Sequence, residues 1–130
     1  MNYKLFLNLV LLFFNLSIVS QINFETKVNK SSLGINERLS VEFTLNEDGD
    51  NFNPPSFKNF KVVGGPTQSI KNSWVNGTRS YSKTYTYFLL PIKMGVFKIG
   101  QAKIEIDGKL YKTLPVEIKV IAAVKTPNKE

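Results

Sequence analysis

Two groups of residues in this chain have types and spacing that invite chemistry. One is acidic, with Glu47, Asp48 and Asp50 crowded around Gly49; the other is aromatic and cationic, with Trp74, Arg79 and Tyr81 on either side of Asn76-Gly77. The acids suggest a calcium loop. An EF-hand loop, however, puts its Gly sixth and a Glu twelfth, between two helices. Counted from Asn46, the Gly here is fourth and the twelfth residue is Phe57, so 46–56 reads as an acidic connecting loop. Trp, Arg and Tyr are the types enriched where proteins grip their partners, which makes Trp74, Arg79 and Tyr81 the candidate partner contact.

Cys and His are absent from the sequence. Ser-His-Asp and Cys-His catalysis and the usual zinc sites need an imidazole or a thiolate, so all are excluded within this chain. Gly64-Gly65-Pro66 is no phosphate cradle, because its Pro has no amide to donate. The ten Asp and Glu residues fall mostly on outward strand positions or in loops. No pair stands out as the facing acids of a glycosidase. The expectation is a protein that is not an enzyme, with no catalytic residue, no metal and no cofactor.

What must position Trp74, Arg79 and Tyr81 is a hairpin. Asn-Gly supplies the two positive-φ residues of a type I′ turn, whose twist matches that of paired strands. A two-residue turn then sets Val75 opposite Thr78, Trp74 opposite Arg79, Asn72 opposite Tyr81, Ile70 opposite Lys83 and Gln68 opposite Tyr85. One face carries Ile70, Trp74, Arg79, Tyr81, Tyr85, Tyr87 and Leu89; the other carries Ser69, Ser73, Thr78, Ser80, Ser82, Thr84 and Thr86. Tyr85 and Tyr87 are expected to pack inward. For Trp74, Arg79 and Tyr81 the same face also holds Asn72 and Lys83, which argues against deep burial. A Trp74–Arg79 cation–π contact of about 0.5–1 kcal/mol is available to this register.

The rest of the chain repeats the period of two. Leu39, Val41, Phe43 and Leu45 alternate with Arg38, Ser40, Glu42 and Thr44, the pattern of a half-buried strand. Ala102, Ile104 and Ile106, and then Val116, Ile118 and Val120, behave likewise. Turn signals at Ser31 to Gly34, 46–55, Gly64-Gly65-Pro66, Asn76-Gly77, 91–95, Gly100 and Asp107-Gly108 separate strands expected at 22–29, 38–45, 59–63, 67–75, 78–90, 96–99, 101–106, 109–113 and 115–122. This predicts an all-β, immunoglobulin-like antiparallel β-sandwich over 21–124, followed by a polar linker or frayed tail at 125–130.

The N-terminus reads as targeting. Lys4 precedes an apolar run from Leu5 to Val19, interrupted by Asn8, Asn15 and Ser17 and ending at Ser20, so 1–20 is predicted to be a signal-peptide helix cleaved after Ser20. The net charge of +7 comes from scattered lysines rather than a stripe, which speaks against a nucleic-acid surface. An exported domain without cysteines must be held by its core alone.

With the strands in place, the segments KSSLGINERLSVEFTLNEDGDNFNPPSF, FKVVGGPTQSIKNSWVNGTRSYSKTYTYFLLP and GVFKIGQAKIEIDGKLYKTLPVEIKV, within 22–120, resemble the N-terminal region of the BatD family, the oxygen-tolerance (aerotolerance) proteins of Bacteroidetes. The resemblance implies immunoglobulin-like domains exported to face the periplasm, with a membrane helix further along in full-length members. It implies protein partners as well, membrane proteins with von Willebrand A domains and a MoxR-type ATPase, in an envelope complex linked to oxidative-stress tolerance. It assigns no catalytic residue. Membrane anchoring would require chain beyond Glu130. The alternative drawn from the residues alone is a surface adhesin or glycan-binding sandwich, with Trp74 and Tyr81 stacking on sugar rings.

Overall fold

Leu39, Val41, Phe43 and Leu45 are all at 0% exposure, and the residues between them are only half-covered, so the period-two pattern becomes a strand with one face fully sealed. The computed structural model describes residues 21–125. The predicted signal segment and residues 126–130 of the predicted tail lie outside the described residues. Within them run ten strands: β1 Phe24–Val28, β2 Ser32–Gly34, β3 Leu39–Leu45, β4 Asp50–Asn53, β5 Phe60–Val75, β6 Thr78–Pro91, β7 Gly95–Ile99, β8 Lys103–Ile106, β9 Lys109–Lys112 and β10 Val116–Ile121. Among the described residues there is no helix long and apolar enough to cross a membrane.

The strands form one four-stranded sheet, in the order β1-β3-β6-β5, and two three-stranded sheets, β2-β10-β7 and β4-β8-β9. The fold is all-β, and every pairing is antiparallel except β2 with β10. All three sheets turn their apolar faces to one core, in the manner of a β-sandwich. Phe43, Tyr85 and Leu89 come from the first sheet, Leu33, Ile99 and Ile118 from the second, and Ile104 and Ile106 from the third. Rings join the layers: Phe43 lies 5.8 Å from Phe52, 6.2 Å from Phe57 and 6.0 Å from Tyr87, distances at which tilted and edge-on pairs attract.

Three features depart from the predicted elements. Ser31 to Gly34 is expected to be a turn, but all of it except Ser31 is β2, recruited by parallel pairing of Leu33 with Val120. The connecting loop expected at 46–56 contains β4, which pairs with β8 through Asp50–Glu105 and Asn53–Lys103 with an irregular register between them. Gly64-Gly65-Pro66 does not end a strand. The chain passes through it as one continuous β5, absorbing the glycines and a cis Gly65–Pro66 bond as register shifts between Val62 and Gly64 and between Gly64 and Thr67.

The connection from β2 to β3 is held by Glu37. Its backbone amide donates to the Gly34 carbonyl, its Oε1 accepts from the Gly34 amide at 2.8 Å, and its Oε2 accepts from the Lys30 ammonium. The Lys30 hydrogen bond and then the Gly34 amide hold this carboxyl below the usual glutamate range. The unfolded chain therefore binds the proton more readily, so the contribution of Glu37 is full above the ordinary glutamate pKa and is lost as pH falls through the lower folded value. Thermal melts between roughly pH 3 and pH 7 are expected to show Glu37→Gln less stable than the native chain at neutral pH, with the gap closing in acid.

Candidate interaction site

The hairpin forms with the register its turn dictates. Asn76 and Gly77 take φ of 50° and 77°, and Val75–Thr78, Trp74–Arg79, Asn72–Tyr81, Ile70–Lys83 and Gln68–Tyr85 stand opposite one another. Its root is anchored where β6 pairs with β3, from Leu89 opposite Leu39 to Lys83 opposite Leu45. Past Lys83 the third strand ends. β5 and β6 continue as a two-stranded ribbon, in which every residue from 65 to 80 is exposed. Tyr85 and Tyr87, each 5% exposed, lie at the root and face the core, as the alternation predicts.

The three candidate residues share one face of this ribbon but have different surroundings. Trp74 is 69% exposed near the turn, Arg79 is exposed opposite it, and Tyr81 is half-buried one step closer to the root. The predicted Trp74–Arg79 cation–π contact is replaced by another. Arg79 Nε donates to Asn72 Oδ1 at 3.2 Å, and this anchor swings the guanidinium down the ribbon, to 5.2 Å from the Tyr81 ring centroid. Trp74 is left with its indole in water. Ile70 at 57% and Val75 at 64% exposure add apolar surface to the two faces.

A second element, absent from the sequence reading, is a cleft of about 510 Å³ at the ribbon's root, walled by Phe52, Pro54, Pro66, Gln68, Lys83 and Tyr85. Phe52 stacks on Tyr85 at 3.8 Å with the rings 3° from parallel, so β4 closes one side of the cleft. Lys83 reaches Asp48 at 3.5 Å and lies 5.6 Å from the Tyr85 ring centroid. Burial of its stem pulls the Lys83 pKa down. The Tyr85 and Asp48 neighbours outweigh this and hold it above the ordinary lysine value, so the group stays cationic. Burial, with Tyr85 alongside, raises the Tyr87 phenol. The signal in the sequence was Phe52, the one aromatic in an otherwise polar loop.

The site is thus a two-stranded arm with an exposed indole, an Arg79 guanidinium over the Tyr81 ring and a cationic root at Lys83. Comparison with protein-family models matches residues 26–120 to the BatD DUF11 like domain. The chain belongs to the BatD family. Among curated proteins no match is found. The matched BatD segment runs from within β1 to within β10 and contains the whole hairpin, with Trp74, Arg79 and Tyr81 inside it.

Proposed function

We propose that this chain is a non-catalytic protein-interaction or scaffold module of a BatD-type envelope complex associated with oxygen tolerance. In this reading it is an exported, immunoglobulin-like sandwich that faces the periplasm and binds membrane-anchored von Willebrand A domain proteins through the β5–β6 ribbon. Family membership supports the setting. The observation that carries the interaction role is Trp74, 69% exposed on an arm that projects past its supporting strand. A large indole kept in water gains several kcal/mol-scale contacts only when a partner covers it, and Trp beside Arg is the common composition of such an anchor.

The test is a pull-down with a purified von Willebrand A domain partner. The double variant Trp74→Ala/Arg79→Ala is expected to weaken capture by about 2 kcal/mol or more, on the order of thirtyfold. Folding stability should change by no more than about 0.5 kcal/mol, as for other exposed positions. Unchanged capture, or a loss of binding matched by a loss of stability, would sink the reading. The exposed indole also favours the glycan-binding alternative. Titrating the single Trp with envelope glycans should give flat fluorescence under the protein-interaction reading and saturable quenching under the other.

A further inference from the structure

The ribbon offers more than its side chains. Val75 and Thr78 flank a two-residue turn and exchange both backbone bonds, so alternation down the ladder turns the N–H and C=O of Trp74, Asn72, Ile70 and Gln68 away from β6. β5 is the last strand of its sheet, and among the described residues no other strand meets this side. Long free edges of this kind are templates for strand addition, and short or Pro-blocked edges are the usual defence. Here the Pro lies at position 66, before the regular ladder of 67–75 begins.

Charge decides the occupant. From 51 to 104 the sequence carries no Asp or Glu, whereas the hairpin carries Lys61, Lys71, Arg79 and Lys83. A second copy added antiparallel along the same edge and centred on Lys71 would set Lys71 against Lys71, and like charges side by side on paired strands destabilise them. A lipid surface fits poorly too. Trp74 and Val75 are adjacent and so point to opposite faces, and the ribbon ends in Asn76, Gly77, Thr78 and Ser80, which leaves no apolar wedge to insert.

We infer that the outer edge of β5 over 67–75 takes up an extended, acidic segment of a partner protein as an added strand. Alternate apolar residues of that segment lie beside Ile70 and Trp74, and its acids lie on the face of Lys71. Backbone bonds supply affinity and side-chain alternation supplies selectivity. This rests on the protein-interaction reading and specifies how the partner is held.

The full chain is mixed with a synthetic peptide alternating Val and Glu, or with its Val-Lys counterpart, and amide hydrogen exchange is followed by NMR. The Val-Glu peptide is expected to slow exchange at Gln68, Ile70, Asn72 and Trp74 by about tenfold or more, less so at high salt, and the Val-Lys peptide to have no effect. Ile70→Pro removes one outward donor where an edge tolerates Pro, and should abolish both this protection and partner capture. Ile70→Ala keeps the donor and should retain both. Equal effects of the two peptides, no protection by either, dimerisation that protects the same amides, or binding to phosphatidylglycerol vesicles in place of the peptide would each overturn the inference. If Trp74→Ala/Arg79→Ala loses the partner while Ile70→Pro keeps it, the edge inference falls and the proposed function stands. If neither variant loses the partner, the proposed function falls, and the peptide exchange alone decides the edge.

Discussion

Replacing Phe43 with Ala is expected to cost about 3–5 kcal/mol of folding stability, the range for truncating a fully buried ring. Phe43 stands at the crossing of the fold. Its backbone pairs with Thr26 on one side and Tyr85 on the other, and its ring, at 0% exposure, meets Phe52, Phe57 and Tyr87 from three directions. Because strands on both sides hold β3, the backbone has little freedom to collapse into the vacated space, which places the cost toward the upper end. A domain of this size has about 5–15 kcal/mol in total, and this chain has no cysteine for a disulfide to compensate. Urea unfolding measures the loss. Leu114→Ala is the control: the residue is apolar but 80% exposed, and should shift stability by no more than about 0.5 kcal/mol. A Phe43→Ala cost below about 1.5 kcal/mol would mean the core repacks freely, contrary to the layered ring contacts.

These two positions also show how far local pattern reaches. Phe43 announces itself because it alternates with polar neighbours, and the same logic placed β3, the inner face of β6 and β10 close to their observed limits. Asn76-Gly77 did more, since a two-residue turn admits one register and so fixed every cross-strand pair of the ribbon. β2 and β4 left no such trace. β2 has Leu33 as its only large apolar residue and exists because β10, distant in sequence, pairs with it. β4 is Asp-Asn-Phe-Asn, a composition that reads as loop until Phe52 finds Tyr85. Among the site residues, the sequence alone showed that Trp74, Arg79 and Tyr81 share a face. It placed the end of β3 at Leu45 but could not show that Leu45 would pair with Lys83, which is what leaves Trp74 in water, nor that Asn72 would draw Arg79 away from Trp74.

Gly65→Ala is expected to destabilise the domain by about 2–5 kcal/mol and to weaken partner capture as well, although no partner contact is proposed at residue 65. The loss of stability has two physical sources. Gly65 has φ of +87°, where a side chain adds roughly 1–2 kcal/mol. A Cβ there would also sit 2.3 Å from the Thr86 carbonyl oxygen and 3.1 Å from Tyr87 Cα, backbone atoms that cannot swing aside, and forced overpacking adds about 1–3 kcal/mol. Gly77→Ala separates the two parts, because Gly77 has φ of +77° with nothing within 4 Å of a new Cβ, and should show the conformational cost alone. The functional effect follows from where the clash falls. Gly65 lies within the second register shift, between Gly64 and Thr67, where the core-bound part of β5 becomes the free ribbon, and β6 passes it at Thr86 and Tyr87. Relief by moving β5 would shift the pairing of everything beyond Thr67, including Ile70 and Trp74. Gly65→Ala should therefore bind the partner more weakly than Gly77→Ala even where both are fully folded, as judged by pull-down well below the melting temperature of each. Equal binding by the two variants would show that the ribbon's position does not depend on this bulge.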